Sequence, residues 1–311
     1  MTKPVMRQYA GDEDYPRLRE FLGEVLLANG LREYSWHVAR LDYYKWHGIV
    51  NCHDPGLENA RIWEADGKIV SFVLLEGKIN AFIQIHPDRM RTDLYGEMLA
   101  VAETDLSGIG GDGRRKIYVW ADSKDDVAHG FLKQRGYVKY TEPHTAGRQG
   151  RQDLDRDIPE PAVPEGFIVR ELGDVDELPS RSWCSWKAFH PDEPDEKYEG
   201  WLWYGNIRAA PLYNKELDIV AIDPDGEVAS FTTAWYDAVT NTAHFEPVGT
   251  HPDHQRKGLG LACITEGLRR LKRLGCRRAF LEGFSIPAKG LYNKAGFHDY
   301  DTAEPWVKFL D

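Results

Sequence analysis

Two short strings occur twice in this chain, and their spacing constrains its fold more than any other feature. His86-Pro87-Asp88 is matched by His251-Pro252-Asp253. Residues 131–137 (FLKQRGY) are matched by 291–297 (LYNKAGF) at almost the same offset. Two matches at nearly one large offset imply a duplicated domain, because a solenoid repeats over a much shorter period. The 311 residues agree with two domains of ordinary size.

The same order of elements can be read in each half. In the first, strand patterns cover 5–9, 60–65, 68–75, 79–86 and 116–121, with a hairpin turn at Asp66-Gly67. Helical patterns cover 14–29, 35–48, 94–106 and 127–135. In the second half, strands are expected over 167–172, 217–222, 228–235, 242–250, 278–283 and 306–310. Helices are expected from Asp174, over 259–274 and over 287–295. The helix over 259–274 is the clearest. Leu261, Ile264, Leu268 and Leu271 recur at helical spacing, Arg269, Arg270, Lys272 and Arg273 crowd the last turn against the helix dipole, and Gly275 follows as a C′ residue. Between the halves, 145–165 is polar and contains Gly147, Gly150, Pro159, Pro161 and Pro164, which suits a linker or an edge strand. The boundary is expected near Pro161, giving domains over 1–160 and 161–311.

A net charge of −11 argues against a nucleic-acid grip, which needs a basic surface to displace counterions. It is compatible with an amine substrate, although solubility is the simpler account. Cys52, Cys184, Cys263 and Cys276 form no C-x-x-C pair and read as reduced structural thiols. The first ten residues lack the apolar core of a signal peptide, and apolar runs such as 69–75 are strand-sized. A cytoplasmic protein without membrane contact is expected.

The stretch that carries chemistry runs from Val248 to Gly260, VGTHPDHQRKGLG. It leaves a strand, turns, and enters the helix at Leu259. Backbone N–H groups at such a turn, with the helix N-terminus behind them, can cradle phosphate oxygens. Gly258 and Gly260 let a ligand approach the backbone, and Arg256 and Lys257 add charge. Upstream, Glu246 and His244 are two apart on the entering strand, and therefore on one face. Either can take a proton; Glu246 is slightly favoured. The structural alternatives are a packed imidazole for His244 and an ion pair with a helix arginine for Glu246. His251 lies in the repeated His-Pro-Asp turn, so His244, His251 and His254 are not read as a metal site, and no metal is expected.

The string Gln255-Arg-Lys-Gly-Leu-Gly260, followed downstream by Leu291-Tyr-Asn-Lys-Ala-Gly-Phe297, resembles the acyl-CoA loop and the tyrosine segment of the GCN5-related N-acetyltransferase (GNAT) superfamily. The resemblance covers residues from about Gly166 onward, and its tandem layout is similar to that of mycothiol synthase-like acetyltransferases. It implies an α/β (α+β) fold of two tandem domains, each a mixed, mostly antiparallel twisted sheet flanked by helices. It implies acetyl-CoA as cosubstrate. Val248 and Thr250 would pair with the pantetheine arm. Gln255 heads the loop in which Arg256, Lys257, Gly258, Leu259, Gly260 and Leu261 would hold the pyrophosphate. Tyr292 would protonate the leaving thiolate. Ser285 stands where the family often has asparagine, so one cofactor contact is shorter or absent. Some relatives carry their base at the position of His244.

In the first half the repeat reads as decayed. Aligned on His-Pro-Asp, Asp93 stands for Gly258 and Tyr95 for Gly260, which would repel or displace a phosphate; Leu132 stands for Tyr292. Arg89 and Arg91 are read as solvated charges. Trp183, Trp186, Phe189, Trp201, Trp203, Tyr204, Trp235 and Tyr236 either pack the core or line a site for a bulky amine, and the acidic residues 192–196 read as a solvated loop. The expected function is acetyl transfer to an amine, small-molecule in kind, with an amino sugar or thiol conjugate among the candidates and protein amines left open. The alternative is an acyl-CoA sensor without turnover. Either a monomer or a homodimer is compatible with the sequence.

Overall fold

The computed structural model describes residues 2–90, 93–142 and 145–310. Arg91 lies outside the described residues. The chain forms two compact units. One comprises residues up to Gln149 together with those from Asp301 onward, and the other comprises Gly150–Tyr300.

In the first unit, β1 (Val5–Gln8), β2 (Arg61–Ala65), β3 (Lys68–Glu76) and β4 (Asn80–Ile85) pair antiparallel in sequence order. β4 then pairs in parallel with β6 (Arg115–Asp122), to which the short β5 (Gly108–Ile109) adds an edge. Helices α1 (Asp14–Ala28) and α2 (Val38–Tyr43) precede the hairpins. The His37 ring caps α2 by accepting the Ala39 N–H, so this helix starts three residues later than its apolar pattern suggests, and it continues as π-helix over Tyr44–Ile49. α3 (Leu94–Asp105) lays Leu94, Tyr95, Met98, Leu99 and Ala102 onto Val73, Ile83, Ile117 and Val119. α4 (Asp126–Gln134) and β7 (Val138–Lys139) follow.

The second unit repeats this order. β9 (Ile168–Glu171), β10 (Asp218–Ile222), β11 (Val228–Asp237) and β12 (Thr242–Thr250) pair antiparallel, and β12 pairs in parallel with β13 (Arg278–Gly283). α5 (Leu178–Phe189) and α6 (Tyr204–Arg208) precede the hairpins, and a single 3-10 turn at Val175–Glu177 separates Asp174 from α5. α7 (Leu259–Arg273) packs Ile264, Leu268 and Leu271 against Ala243, Phe245 and Leu281. Leu261 is only partly buried, and the core face begins instead at Leu259. Gly275 takes φ +85° and ends the helix, with N–H bonds from Gly275 and Cys276 to Lys272 and Leu271 carbonyls. α8 (Ile286–Ala295) closes at Gly296, φ +99°.

The two units do not divide the sequence at one linker near Pro161. The expected linker contains β8 (Gly147–Asp153), whose positions Gly150 and Gln152, two apart and therefore on one face, are buried. A Cβ at Gly150 would lie 2.9 Å from Leu281, so glycine lets this polar strand approach the core of the second unit. The last strand, β14 (His298–Phe309), is also longer than its apolar end suggests, and its residues 303–309 pair antiparallel with β6 of the first unit. A strand from the far end of the sequence thus completes the first unit.

Arg181 on α5 is fully buried 3.6 Å from buried Asp218, which also accepts hydroxyl bonds from Tyr204 (2.6 Å), Tyr213 (3.0 Å) and Thr233 (3.1 Å). The guanidinium lies 3.6 Å from the Phe231 ring centroid. This pair pins α5 to the β10–β11 hairpin. Arg181→Met leaves the Asp218 charge buried, and should lower unfolding free energy by about 3 kcal/mol in urea titrations.

Candidate active site

The site is set by where two strands part. β11 follows β12 out to Ser230–Thr250, but the parallel register of β12 with β13 stops at His244–Phe280. β13 nevertheless continues to Gly283 and β12 to Thr250. Beyond that pair the β13-facing edge of β12 runs on past the end of the ladder. Such an edge offers backbone donors and acceptors to an extended ligand, as in strand addition.

Glu246 stands at the mouth of this opening. The β11–β12 register shifts between Thr232 and Ala234, opposite Glu246 and Pro247, and the Trp235 indole N–H donates to the Glu246 carbonyl. The bulge and this bond fix the backbone that carries the carboxylate. The Glu246 side chain is 35% exposed, whereas that of His244 is 8% exposed, and their Oε2 and Nε2 atoms are 3.9 Å apart. The expected shared face is therefore observed. Tyr292, half-buried on α8, packs beside this region. Burial, with a smaller contribution from the Glu246 charge, pushes its phenol up to about 12. It stays protonated at neutral pH, as an acid must before it gives up a proton.

The loop after β12 is held at both ends. The Ser230 hydroxyl donates to the Gly249 carbonyl (2.9 Å) and lies 2.8 Å from the Thr250 hydroxyl. The His251 ring accepts the Asp253 N–H, as His86 accepts that of Asp88 in the first unit, so the repeated string is a repeated turn. Arg256 and Gly258 then take left-handed φ values of +65° and +89°. Gly258 is the N-cap of α7 and makes no side-chain cap bond. The opening turn of α7 thus presents backbone N–H groups with the positive end of a fifteen-residue helix behind them. Arg256 and Lys257 are exposed, and the Lys257 ammonium rests 3.3 Å from His254 Nδ1. Gln255 donates from its amide to the Thr250 carbonyl at 3.5 Å. A Cβ at Gly260 would meet Leu291 and Thr250 at 3.3 Å, so glycine also serves close helix packing. Val248 packs on the same core as Leu291 and Tyr292.

Other expected residues are placed differently. The Ser285 hydroxyl accepts the Ala288 N–H and caps α8, which already engages it. The aromatic group divides. Tyr204 and Trp235 are core residues, and Tyr236 bonds the Leu274 carbonyl. Trp183 and Trp186 form a half-buried stacked pair, centroids 5.5 Å apart, with Lys187 held nearby by Asp195. The acidic run is thus partly engaged in ion pairs. Sequence reasoning missed Gly249, where a Cβ would lie 2.3 Å from the Phe231 ring, and the bond from Trp235 to Glu246. The glycine inside a β-strand pattern was a readable signal of close approach; the indole bond had none.

Residues 175–297 match the acetyltransferase (GNAT) family. Mycothiol acetyltransferase from Streptomyces bingchenggensis is 26% identical over 256 residues, 77% of each chain, and that from Clavibacter michiganensis is 25% identical over 72% of this chain and 70% of its own. A tandem GNAT protein from the clavulanic acid biosynthesis pathway superposes with a TM-score of 0.66 at 16% identity, covering 99% of this chain and 98% of its own. A GCN5-related N-acetyltransferase from Sphaerobacter thermophilus does so at 0.65 and 18%, covering 98% and 95%. Among the described residues no helix is long and apolar enough to cross a membrane. The segment that holds the parted strands and the glycine turn is thus the one that matches the GNAT family, and the chain as a whole has the fold of tandem GNAT proteins.

Proposed function

We propose that the second unit transfers an acetyl group from acetyl-CoA to the amine of a small molecule, a thiol conjugate of the kind handled by the mycothiol acetyltransferases it resembles. The observation that carries this reading is the opening between β12 and β13, flanked by Glu246 and Tyr292 and continued by the left-handed turn into α7. The edge of β12 at Val248 and Thr250 suits a pantetheine arm, and the N-terminus of α7 with Arg256 and Lys257 suits a pyrophosphate. In the reaction the neutral amine attacks the thioester carbonyl, the C–S bond breaks, Glu246 takes the amine proton and Tyr292 gives its proton to the departing thiolate. His244, 3.9 Å from Glu246, supports the carboxylate.

The first unit is proposed to bind no acyl-CoA. Asp93, at the N-cap of α3, has φ −63° where Gly258 has +89°. Leu132 is wholly in the core, and Tyr95 turns inward to pack near Phe131 rather than filling a phosphate's place. Beyond the last β4–β6 pair, Ala81–Val119, the Phe82 and Trp120 rings stack 5.7 Å apart and bridge the position where the strands would open.

Calorimetric titration should find one acetyl-CoA per chain. Gly258→Asp, which copies Asp93 into the second unit, should abolish that binding while leaving the thermal transition in place; two sites per chain would sink the assignment. Radiolabelled acetyl transfer to a panel of primary amines, cysteine amide and glucosamine among them, tests turnover, and binding without transfer to any would leave a sensor. Glu246→Gln should lower kcat by roughly 10²-fold or more with acetyl-CoA affinity unchanged. Because the phenol of Tyr292 titrates near 12, the wild-type rate should show no alkaline loss from this group up to about pH 11. A Tyr292→Phe variant whose pH profile gains or loses a limb below pH 10 would contradict the assignment.

A further inference from the structure

We propose that Gly283 is a positioning residue for Tyr292: the missing side chain at the end of β13 is the seat on which the phenol ring rests. The inference depends on the reading of Tyr292 as the general acid.

Strand alternation brings residue 283 to the α8 side. Ala279 and Leu281 belong to the core beneath α7 and α8, and Gly283 continues their parity. A Cβ built on Gly283 would lie 2.9 Å from Tyr292 Cε2, 3.3 Å from Cδ2 and 3.7 Å from Ala288 Cβ. The first distance is shorter than side chains tolerate. Cε2 is the ring atom next to the carbon that bears the hydroxyl, so relief of that clash moves the reacting oxygen.

The backbone gives no other reason for glycine here. Its φ lies outside the left-handed region, in contrast to Gly258, Gly275 and Gly296. Nor can the ring give way at no consequence. Tyr292 is carried by α8, whose start is fixed by the Ser285 cap on Ala288 and whose end is fixed by Gly296. Ala288 and Tyr292, four apart, form the helix face that meets the strand. The packed partners of the ring leave rotation or helix displacement as the responses to an added methyl. Displacements of this order are enough to spoil proton transfer to a leaving group.

The test uses the full chain and hydroxylamine as acceptor, a small nucleophile that is neutral near pH 7, so that the demand on the acid is isolated. CoA release is followed for wild type, Gly283→Ala, Tyr292→Phe and the double variant, with acetyl-CoA binding measured by calorimetry. Both single variants should lose kcat by about tenfold or more, with Kd for acetyl-CoA within about twofold of wild type. The double variant should be no slower than Tyr292→Phe. Retained kcat in Gly283→Ala beside a loss in Tyr292→Phe overturns this inference alone. Multiplied losses in the double variant, or a Kd that rises in step with the loss of kcat, also overturn it, since they mark a general distortion. Retained kcat in Tyr292→Phe overturns both this inference and the reading of the acid. A stability cycle covers poor folding of Gly283→Ala: on a Tyr292→Leu background, which copies Leu132, the added methyl should destabilise clearly less than on wild type. Equal destabilisation on both backgrounds excludes the ring as the group displaced.

Discussion

The arrangement of the second unit follows from one break in hydrogen bonding, the end of the β12–β13 ladder at His244–Phe280. A strand edge that outruns its ladder offers backbone donors and acceptors to an added strand, and the proposed function puts the cosubstrate's extended arm there. The neighbouring features are consistent with keeping that place open. The bulge at Thr232–Ala234 and the Trp235 bond hold the β12 backbone from its other side, and Gly249 lets Phe231, stacked on buried Arg181, support the strand from beneath. The turn at Arg256–Gly258 then delivers α7 to the end of the same opening.

The fold was legible in the sequence where apolar periodicity and turn residues agreed. β12 and β13 fall where their patterns place them, and α7 starts at Leu259 and stops one residue short because Gly258 and Gly275 mark its ends with left-handed backbone. It was not legible where a strand is made from polar residues. β8 reads GRQGRQD, and only the burial of Gly150 and Gln152 reveals its inner face. The site divides in the same way. The loop glycines and the tyrosine segment announce themselves as strings, whereas the indole bond to Glu246 and the contact of Gly283 with Tyr292 join residues whose adjacency only the folded chain supplies.

Comparison of the two units separates what the fold needs from what the proposed chemistry needs. Both keep three antiparallel pairings followed by a parallel one, and both keep the histidine-capped turn after the fourth strand. These are the shared scaffold. The differences fall at Gly258 against Asp93 and at Tyr292 against Leu132, and in the first unit the tyrosine position has become ordinary core. The two units thus share a scaffold and differ at the positions that the proposed function assigns to the cosubstrate and the acid.

The pairing of residues 303–309 with β6 bears on how the protein is made. Synthesis proceeds from the N-terminus, so β6 leaves the ribosome long before its partner strand exists. While the residues between Asp122 and Ala303 are translated, the edge of that strand that β14 will cover is open to wrong pairings. The first unit to be translated is thus the one that waits for its last strand, and folding of the two halves is coupled in time by the order of the message.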